Sequence, residues 1–431
     1  MRWIEVERAS GLNGTVKIPG SKNSSLALLA AACLSDEPVR LIGIPEIADF
    51  KVMCEIAEDI GIQMYRESSG EVYIDPRHIQ AASIDPHKAA MFRTSYYFVG
   101  ALLAKCGKVT VGYPGGDDFV KRPIDQHFKA LKSLGASVAH YQHHYEVKAK
   151  ELKGSDVYFD MITSGATINS ILAAVRAKGQ TVLRNAAKDP EVVDTAILLN
   201  QMGARISGAG TDTIRIEGVR YLRGCTYTVI PDRLIAGSFL ISAGMTGGAV
   251  TVEDVIPEHL NSCIAKLKEI GLHIETSANA VTAYSTGALR ATRVRTAMYP
   301  GFATDLQQPL TALLTQAPGK SIISDRIYPQ RFNHVYQLRR MGANIDLRAG
   351  TAFVKGGAPL RGNLVHATDI RAGICLLLAG LAAEGRTSIT GIQHFERGYE
   401  NIVEAFRSLG ANIGEHDSND GHMELLQVTR S

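Results

Sequence analysis

The fold of this chain can be deduced from residues 367–412, which have the sequence ATDIRAGICLLLAGLAAEGRTSITGIQHFERGYENIVEAFRSLGAN. After a polar start, the apolar segment 372–383 predicts a buried helix, and segment 387–390 predicts a strand. A charged loop then leads into a second predicted helix at 400–408. That helix is expected to end at Leu409-Gly410, because glycine readily adopts the left-handed conformation that follows many helix C-termini.

The same helix ending occurs six times, about 70 residues apart, which predicts six structural repeats. Each ending follows a polar helix start, an apolar first helix, a loop with proline or charged residues, and a second helix. A chain of 431 residues exceeds the usual size of one domain, so we expect two domains with three repeats each. The six endings are Ile60-Gly61, Leu134-Gly135, Met202-Gly203, Ile270-Gly271, Met341-Gly342 and Leu409-Gly410.

The domain boundaries follow from the phase of the repeats. Pro19-Gly20 separates an opening strand, turn and strand from the first repeat. We therefore predict one domain from residues 1–20 and 230–431, and a second from residues 21–229. The opening segment is predicted to be a hairpin that completes the sheets of the first domain, because repeats four to six alone lack an initial strand pair.

The first helices of the repeats are apolar around almost their whole circumference. Such helices belong in a protein interior, so we expect three inside each domain, enclosed by sheets and by the more amphipathic second helices. Their starts then gather at one end, where free N–H groups and the helix dipole favour anions. If the two domains face each other by those ends, the space between them suits a phosphorylated or carboxylated substrate.

Composition and charge limit the possible partners. The chain has 46 basic and 43 acidic residues, which gives little reason to expect nucleic acid. Its six cysteines lack CxxC or metal-ligand spacing, so we expect reduced thiols and neither a metal nor an organic cofactor. No apolar run reaches the roughly 18 residues of a membrane span, and no secretion signal is evident. We expect a cytoplasmic monomer or weak homo-oligomer without a membrane partner.

Two cations at helix starts are candidates for anion binding. Lys22-Asn23 follows Pro-Gly-Ser, which resembles a phosphate site but lacks the GxxxxGK[ST] spacing, so a plain helix cap remains the alternative. Arg93 opens the next apolar helix and would be costly to bury without an anion. A solvated surface arginine is the alternative for Arg93.

The loop at 113–123 combines glycines, two carboxylates and two cations. A mobile lid that brings the acid Asp117 over a bound anion needs this mixture, since Arg122 can grip a carboxylate or phosphate through two N–H groups. A charged surface loop is the alternative interpretation.

Acidic and basic residues also occupy the starts and loops of the later repeats. Asp232, Asp305 and Asp369 each stand at a predicted helix start, where aspartate usually caps the helix. A carboxylate at the mouth of an anion site can also act as a general base, which we consider for Asp305. Three cations in corresponding positions favour an anionic ligand; they are Arg331, Arg371 and Arg397.

Specific motifs are spread over essentially the whole chain: Gly20-Ser21-Lys22-Asn23, Pro114-Gly115-Gly116, Arg122-Pro123-Ile124-Asp125, Gly165-Ala166-Thr167, Pro231-Asp232-Arg233, Phe302-Ala303-Thr304-Asp305, Arg331-Phe332, Ala367-Thr368-Asp369-Ile370-Arg371 and Arg397-Gly398-Tyr399-Glu400. Together they resemble the UDP-N-acetylglucosamine enolpyruvyl transferases, the 1-carboxyvinyltransferases that open peptidoglycan precursor synthesis. The related shikimate-3-phosphate enzymes share the fold but lack Lys-Asn at the first helix. The resemblance implies a two-domain inside-out α/β barrel built from six βαβαββ-like repeats, three per domain.

The resemblance also implies a reaction and its residues. The family transfers the enolpyruvyl group of phosphoenolpyruvate to the sugar 3-hydroxyl through a tetrahedral adduct and releases phosphate. Phosphoenolpyruvate is then held by Lys22, Arg122 and Arg397. The UDP-sugar is held by Asn23, Arg93, Arg122, Pro123, Ile124, Asp125, Ser164, Gly165, Asp305 and Ile327. Asp305 helps to remove the hydroxyl proton, and the site is completed by Asp232, Arg331, Asp369 and Arg371.

The chain departs from the family at three places. Most members have a cysteine, where this chain has Asp117, to protonate the methylene carbon of phosphoenolpyruvate. A carboxylic acid with a raised pKa can deliver that proton, and a carboxylate reacts poorly with an epoxide, so we expect insensitivity to fosfomycin. Residues 119–121 and Thr163-Ser164 also differ. These differences leave open a paralogue with another nucleotide or nucleotide-sugar acceptor in a secondary pathway. A non-catalytic UDP-sugar sensor is a separate alternative from another functional class.

Overall fold

The computed structural model of the chain describes residues 2–79, 82–91, 93–115, 122–285 and 287–418. The contacts between Cα atoms divide the chain into two compact units. Unit 1 comprises Met1–Ile18 and Asp232–Ser431, and unit 2 comprises Pro19–Pro231. Each unit has its own hydrophobic core.

The described residues form strands and α-helices that alternate along the chain. The strands are β1 (Arg2–Glu7), β2 (Asn13–Lys17), β3 (Val39–Ile42), β4 (Gln63–Arg66), β5 (Val72–Asp75), β6 (Ser83–Ile84), β7 (Lys108–Gly112), β8 (Ser137–His140), β9 (His144–Lys148), β10 (Asp156–Tyr158), β11 (Gln180–Arg184), β12 (Arg205–Ser207), β13 (Thr213–Glu217), β14 (Thr226–Thr228), β15 (Ala249–Glu253), β16 (His273–Thr276), β17 (Ala280–Tyr284), β18 (Arg293–Arg295), β19 (Gly319–Ser324), β20 (Asn344–Arg348), β21 (Thr351–Gly356), β22 (Leu364–His366), β23 (Arg386–Thr390) and β24 (Ile413–Asp417). The helices are α1 (Lys22–Ala32), α2 (Ala48–Asp59), α3 (Pro86–Met91), α4 (Tyr97–Cys106), α5 (Asp125–Ser133), α6 (Ser164–Ala174), α7 (Pro190–Gln201), α8 (Arg233–Thr246), α9 (Asn261–Ile270), α10 (Thr304–Gln316), α11 (Asn333–Arg340), α12 (Ile370–Ala382), α13 (Gln393–Glu396) and α14 (Ile402–Ser408).

These strands pair into six four-stranded sheets within the described part of the chain, three in each unit. Every sheet has one parallel pair of strands at one edge and two antiparallel pairs beside it. The third and fifth repeats have the full order βαβαββ, which confirms the predicted repeat. Unit 2 contains sheets β14-β3-β5-β4, β6-β7-β9-β8 and β10-β11-β13-β12, and unit 1 contains β16-β17-β15-β2, β18-β19-β21-β20 and β22-β23-β1-β24.

The predicted interior helices are also present. Helices α1, α4 and α6 contact one another in unit 2, and α8, α10 and α12 do so in unit 1. From Leu234 to Met245, every residue of α8 is buried, as the apolar sequence predicts. The six glycines that end the repeats all have positive φ, between 92° and 113°, so the left-handed ending is confirmed.

The predicted opening hairpin is wrong, because β1 and β2 belong to two different sheets. β1 lies between β23 and β24 and pairs antiparallel with both. β2 is an edge strand parallel to β15. Leu12, which lies between the two strands, is fully buried. The alternation of apolar and polar residues fixes which face of a strand is buried but does not choose its partner.

In the ranges that the structure describes, no helix combines the length and the apolar character that crossing a bilayer requires.

Candidate functional site

Two buried carboxylates cap the inner helices of unit 1. Asp232 Oδ1 accepts hydrogen bonds from the backbone N–H groups of Leu234 (2.9 Å) and Ile235 (3.0 Å) at the start of α8. Asp369 Oδ1 accepts from those of Arg371 (2.9 Å) and Ala372 (3.1 Å) at the start of α12. Both aspartates therefore fill the N-cap role that their sequence positions suggested.

Asp305 lies in the first turn of α10 and contacts two buried arginines. Arg331 Nη1 donates to Asp305 Oδ1 at 2.5 Å, and Arg371 Nε donates to Asp305 Oδ2 at 3.2 Å. The side chains of Arg331 and Arg371 are 5% and 4% exposed, whereas that of Asp305 is 27% exposed. The Asp305 carboxylate is thus partly accessible to solvent, whereas the two guanidinium groups that hold it are almost completely buried. We call Asp305, Arg331, Asp369 and Arg371 the unit 1 cluster.

Further polar groups extend this cluster. Arg331 Nη2 lies 3.8 Å from Asp369 Oδ1, which also accepts from Gln308 Nε2 at 3.3 Å. Arg371 Nη1 donates to the hydroxyl of Tyr399 at 3.1 Å. Gln308 was missed at the sequence level, because a helix with two adjacent buried glutamines, Gln307 and Gln308, does not reveal which amide meets a carboxylate.

The charges of the unit 1 cluster stabilise one another. Burial raises the pKa of Asp305, but Arg331 and Arg371 more than offset this, so the pKa lies well below its usual range. Burial lowers the pKa of Arg371, yet Tyr399, Asp305 and Asp232 outweigh it and the net change is upward. Asp305 is therefore ionised at neutral pH, ready to accept a hydrogen bond from a hydroxyl.

Lys22 of unit 2 is held by a buried carboxylate. Its Nζ lies 2.5 Å from Asp49 Oδ2, and the two side chains are 10% and 5% exposed. Lys22 is the first residue of α1, whose N-cap Ser21 accepts from the N–H of Ser24 at 3.3 Å. An ammonium group and a helix N-terminus thus coincide, as an anion site requires. Asp49 was not among the predicted site residues.

Arg93 and Gly165 both lie against the side chain of Tyr96, and Arg93 also bonds to Pro123. The Arg93 guanidinium lies 5.5 Å from the ring centre of Tyr96 and donates to the carbonyl of Pro123 at 3.3 Å. A Cβ atom at Gly165 would stand 2.5 Å from the Tyr96 hydroxyl oxygen, so any larger residue there would have to displace the Tyr96 side chain. The neighbouring Ser164 hydroxyl donates to Asp189 Oδ2 at 2.8 Å.

His127 lies beneath Tyr96 as a neutral ring. The two ring centres are 4.5 Å apart. Burial, with a smaller contribution from Arg93, lowers the pKa of His127 to about 3. Gly100 N–H donates to Asn169 Oδ1 at 2.7 Å, so the Asn169 amide nitrogen faces His127 Nδ1 at 3.1 Å as the donor. His127 therefore keeps its proton on Nε2.

The remaining candidates occupy varied surroundings. Asn23, Arg122, Ile124 and Arg397 are half-buried, whereas Pro123 and Asp125 are exposed. Asp125 Oδ2 accepts from Gln126 Nε2 at 2.8 Å, and the N–H of Ile327 donates to Asp325 at 2.9 Å. Asp117 and residues 119–121 lie outside the described residues. Within the described ranges, no three His, Cys, Asp or Glu side chains form a group that could hold a metal ion.

Comparison with known proteins gives concordant matches. Residues 6–406 match the family described as EPSP synthase (3-phosphoshikimate 1-carboxyvinyltransferase). UDP-N-acetylglucosamine 1-carboxyvinyltransferase 2 of Bacillus cereus is 47% identical over 427 residues, which cover 99% of this chain and 100% of that protein. The protein of the same name from Bacillus subtilis is 44% identical over 428 residues, with 99% and 100% covered.

Solved structures show the same architecture. The enolpyruvyl transferase NikO from Streptomyces tendae superimposes with a TM-score of 0.87 at 25% identity, covering 96% of this chain and 98% of that one. EPSP synthase from Acinetobacter baumannii superimposes with a TM-score of 0.72 at 18% identity, covering 97% and 100%. The second likeness concerns the fold alone. The predicted fold class is therefore confirmed.

Proposed function

The chain belongs to the family of EPSP synthase, the enolpyruvyl transferases, and we propose that it transfers the enolpyruvyl group of phosphoenolpyruvate to the 3-hydroxyl of UDP-N-acetylglucosamine with release of phosphate. The observation that carries this proposal is 44–47% identity over the full length of transferases with that name. The reaction is the first committed step of peptidoglycan synthesis. The unit 1 cluster supports the proposal, because it offers an ionised carboxylate beside two fixed guanidinium groups.

In the proposed reaction, Lys22, Arg122 and Arg397 bind the phosphate and carboxylate of phosphoenolpyruvate through charge-assisted hydrogen bonds. Asp117 protonates the methylene carbon, which becomes a methyl group while the sugar oxygen bonds to the adjacent carbon. Asp305 accepts the proton of the attacking hydroxyl. Loss of a methyl proton and departure of phosphate from the tetrahedral adduct then re-form the carbon–carbon double bond and give the enol ether product.

The proposed role of Asp305 agrees with its lowered pKa. A strongly ionised carboxylate is a weak base toward a free alcohol, but it orients the hydroxyl by accepting its hydrogen bond. The hydroxyl becomes acidic only as its oxygen bonds to carbon, so the proton moves late. Arg331 and Arg371 hold the carboxylate oxygens 2.5 and 3.2 Å away and thereby fix its direction. Asp369 acts as a second carboxylate beside Arg331 and as the cap of α12.

The proposed acceptor contacts are Asn23, Arg93, Arg122, Pro123, Ile124, Asp125, Ser164, Gly165, Asp232, Asp305, Ile327, Arg331 and Arg371. Arg93 carries a guanidinium on the Tyr96 ring and suits a diphosphate.

We also propose that the enzyme is cytoplasmic and a monomer or weak homo-oligomer, which cell fractionation and light scattering of the purified chain would test.

The test is phosphate release from phosphoenolpyruvate with UDP-N-acetylglucosamine present or absent, together with the product mass. We expect release only with the sugar nucleotide and a product heavier by one enolpyruvyl group. Asp305→Asn should lose most of the rate, whereas Asp346→Asn, an exposed aspartate paired with Arg348 at 2.6 Å, is the matched control and should not. Release without the sugar nucleotide, or with a different nucleotide acceptor alone, would refute the proposed acceptor.

Fosfomycin distinguishes the proposed acid at position 117 from the cysteine of most family members. A carboxylate opens an epoxide far less readily than a thiolate does, so we expect the drug to leave the wild-type rate unchanged. Asp117→Cys should become sensitive, with loss of activity that grows with time and a mass increase of one drug molecule. Covalent labelling of the wild-type chain at Asp117 would contradict the assignment.

A further inference from the structure

Asp325 follows strand β19 and is only 1% exposed, yet its carboxylate is fully engaged. Its Oδ1 accepts from the Thr296 hydroxyl at 2.7 Å and from the backbone N–H groups of Ile327 at 2.9 Å and Tyr328 at 2.8 Å. Its Oδ2 accepts from the Thr304 hydroxyl at 2.7 Å. Four donors on one buried carboxylate make a rigid junction, because charge-assisted hydrogen bonds are short and strongly directional.

Two of the four donors belong to segments of the proposed acceptor site. Thr304 is the first residue of α10 and directly precedes Asp305. Ile327 is a proposed acceptor contact, and its backbone is fixed by Asp325. One buried carboxylate therefore connects the start of the helix that carries the proposed base with the loop that carries the proposed acceptor contact Ile327. Small errors in such geometry are costly, since productive contacts tolerate only about 0.5 Å.

The third repeat contains the same arrangement. Ser164 is the first residue of α6, and its hydroxyl donates to Asp189 Oδ2 at 2.8 Å. Asp189 lies between β11 and α7, as Asp325 lies between β19 and α11, and is 8% exposed. In both repeats, a hydroxyl at the first residue of the inner helix is held by a buried aspartate that precedes the outer helix.

We propose that Asp325 is a positioning residue for the acceptor: through Thr304 and the Ile327 amide it sets where Asp305 and the 325–328 loop meet the sugar nucleotide, without touching it. The inference rests on the proposed function and goes beyond it by assigning acceptor affinity to a junction behind the site. It predicts that loss of the Thr304 hydrogen bond weakens the acceptor selectively and leaves the affinity for phosphoenolpyruvate unchanged.

The experiment compares Thr304→Val, which removes the hydroxyl at constant volume, with Thr304→Ser, which keeps it. Because a hydrogen bond to a charged group is lost, we expect Thr304→Val to raise the KM and Kd for UDP-N-acetylglucosamine roughly 10- to 100-fold. The KM for phosphoenolpyruvate should stay within about twofold of wild type, and Thr304→Ser should restore acceptor affinity. Thr315→Val is the matched control, because this buried threonine lies in the last turn of the same helix, where its hydroxyl donates to the Ala312 carbonyl at 2.7 Å and accepts from Gln316 Nε2 at 2.9 Å.

The outcomes separate the inference from the proposed function. If titration calorimetry shows that wild type binds the sugar nucleotide but phosphate is never released, the proposed function fails, and the Kd ratio of the variants still decides the inference. Equal Kd values for Thr304→Val and wild type would overturn the inference. So would an equal rise in the KM of both substrates, or a loss of affinity in Thr315→Val, because either would indicate general damage to α10.

Discussion

Asp305→Asn should destabilise the protein as well as slow it, because the change removes one partner from a buried set of charges. Arg331 and Arg371, whose side chains are 5% and 4% exposed, would keep their charges without the carboxylate that now lies 2.5 and 3.2 Å away. Breaking a buried pair in this way costs about 3 to 5 kcal/mol. We expect the lower end, about 3 kcal/mol, since Asp369 remains 3.8 Å from Arg331. That loss corresponds to a melting temperature roughly 6 to 12 °C lower.

The difference in melting temperature between wild type and Asp305→Asn depends on pH in a way that follows from the direction in which the pKa of Asp305 is shifted. The pKa of Asp305 is lowered in the folded chain, so the folded state binds fewer protons at this site than the unfolded state. Its contribution to stability is therefore fully present above the unfolded-state pKa of about 3.9 and declines only as the pH falls below that value. Calorimetric scans between pH 6 and 9 should therefore show a constant difference in melting temperature between wild type and Asp305→Asn.

Asp346→Asn serves as the control, because Asp346 and its partner Arg348 are 52% and 75% exposed in the same unit. We expect no measurable change in its melting temperature, since exposed pairs contribute little. The reasoning would be refuted if Asp305→Asn melted within about 2 °C of wild type. A gap that closed between pH 6 and 9 would also refute it, since it would require Asp305 to titrate near neutrality.

Three further predictions concern unit 2. Lys22→Ala should abolish turnover and also lower the melting temperature, because Asp49 loses an ammonium group at 2.5 Å. The double variant Lys22→Ala/Asp49→Asn should regain stability but not activity. Scanning calorimetry and phosphate release would measure the two effects. Gly165→Ala should weaken acceptor binding by displacing the Tyr96 ring. Adding Tyr96→Phe should restore part of the affinity, because it removes the contact at 2.5 Å but leaves the ring carbon Cζ at 3.0 Å; both effects are measured as Kd by calorimetry. An undiminished affinity of Gly165→Ala would contradict the predicted clash. The pKa of His127 is lowered to about 3, so the stabilisation that its neutral ring gives to the folded state is present above pH 6.5 and is lost on acidification. Between pH 8 and 5, the free energy of unfolding of wild type, measured in urea, should therefore fall by about 2 kcal/mol more than that of His127→Gln. Parallel pH profiles of the two proteins would exclude that effect.

The repeats and the chemistry of the site follow from local sequence patterns. Leu409-Gly410 and its five counterparts mark helix ends, because only a residue without a Cβ atom enters the left-handed region at little cost. The apolar helices identify the interior by the same local logic. Asp232, Asp305 and Asp369 stand at predicted helix starts, where aspartate usually caps. Asp232 and Asp369 are caps, whereas Asp305 lies inside the first turn of α10, whose N-cap is Ala303. Each of these features depends on residues within a few positions of one another.

The partners of strands and charges required the tertiary structure. β1 joins β23 and β24 across almost the whole length of the chain, and its alternating sequence would suit a hairpin equally well. Asp49 and Asp325 are ordinary aspartates in the sequence, yet one holds Lys22 and the other holds four donors beside Asp305. The sequence alone determined the repeat, the buried helices and the types of residue at their starts, because these are set by local backbone preference and hydrophobic period. Only the tertiary structure decided which carboxylate meets which cation, because the energy of such a pair depends on distance and burial that residues remote in sequence create together.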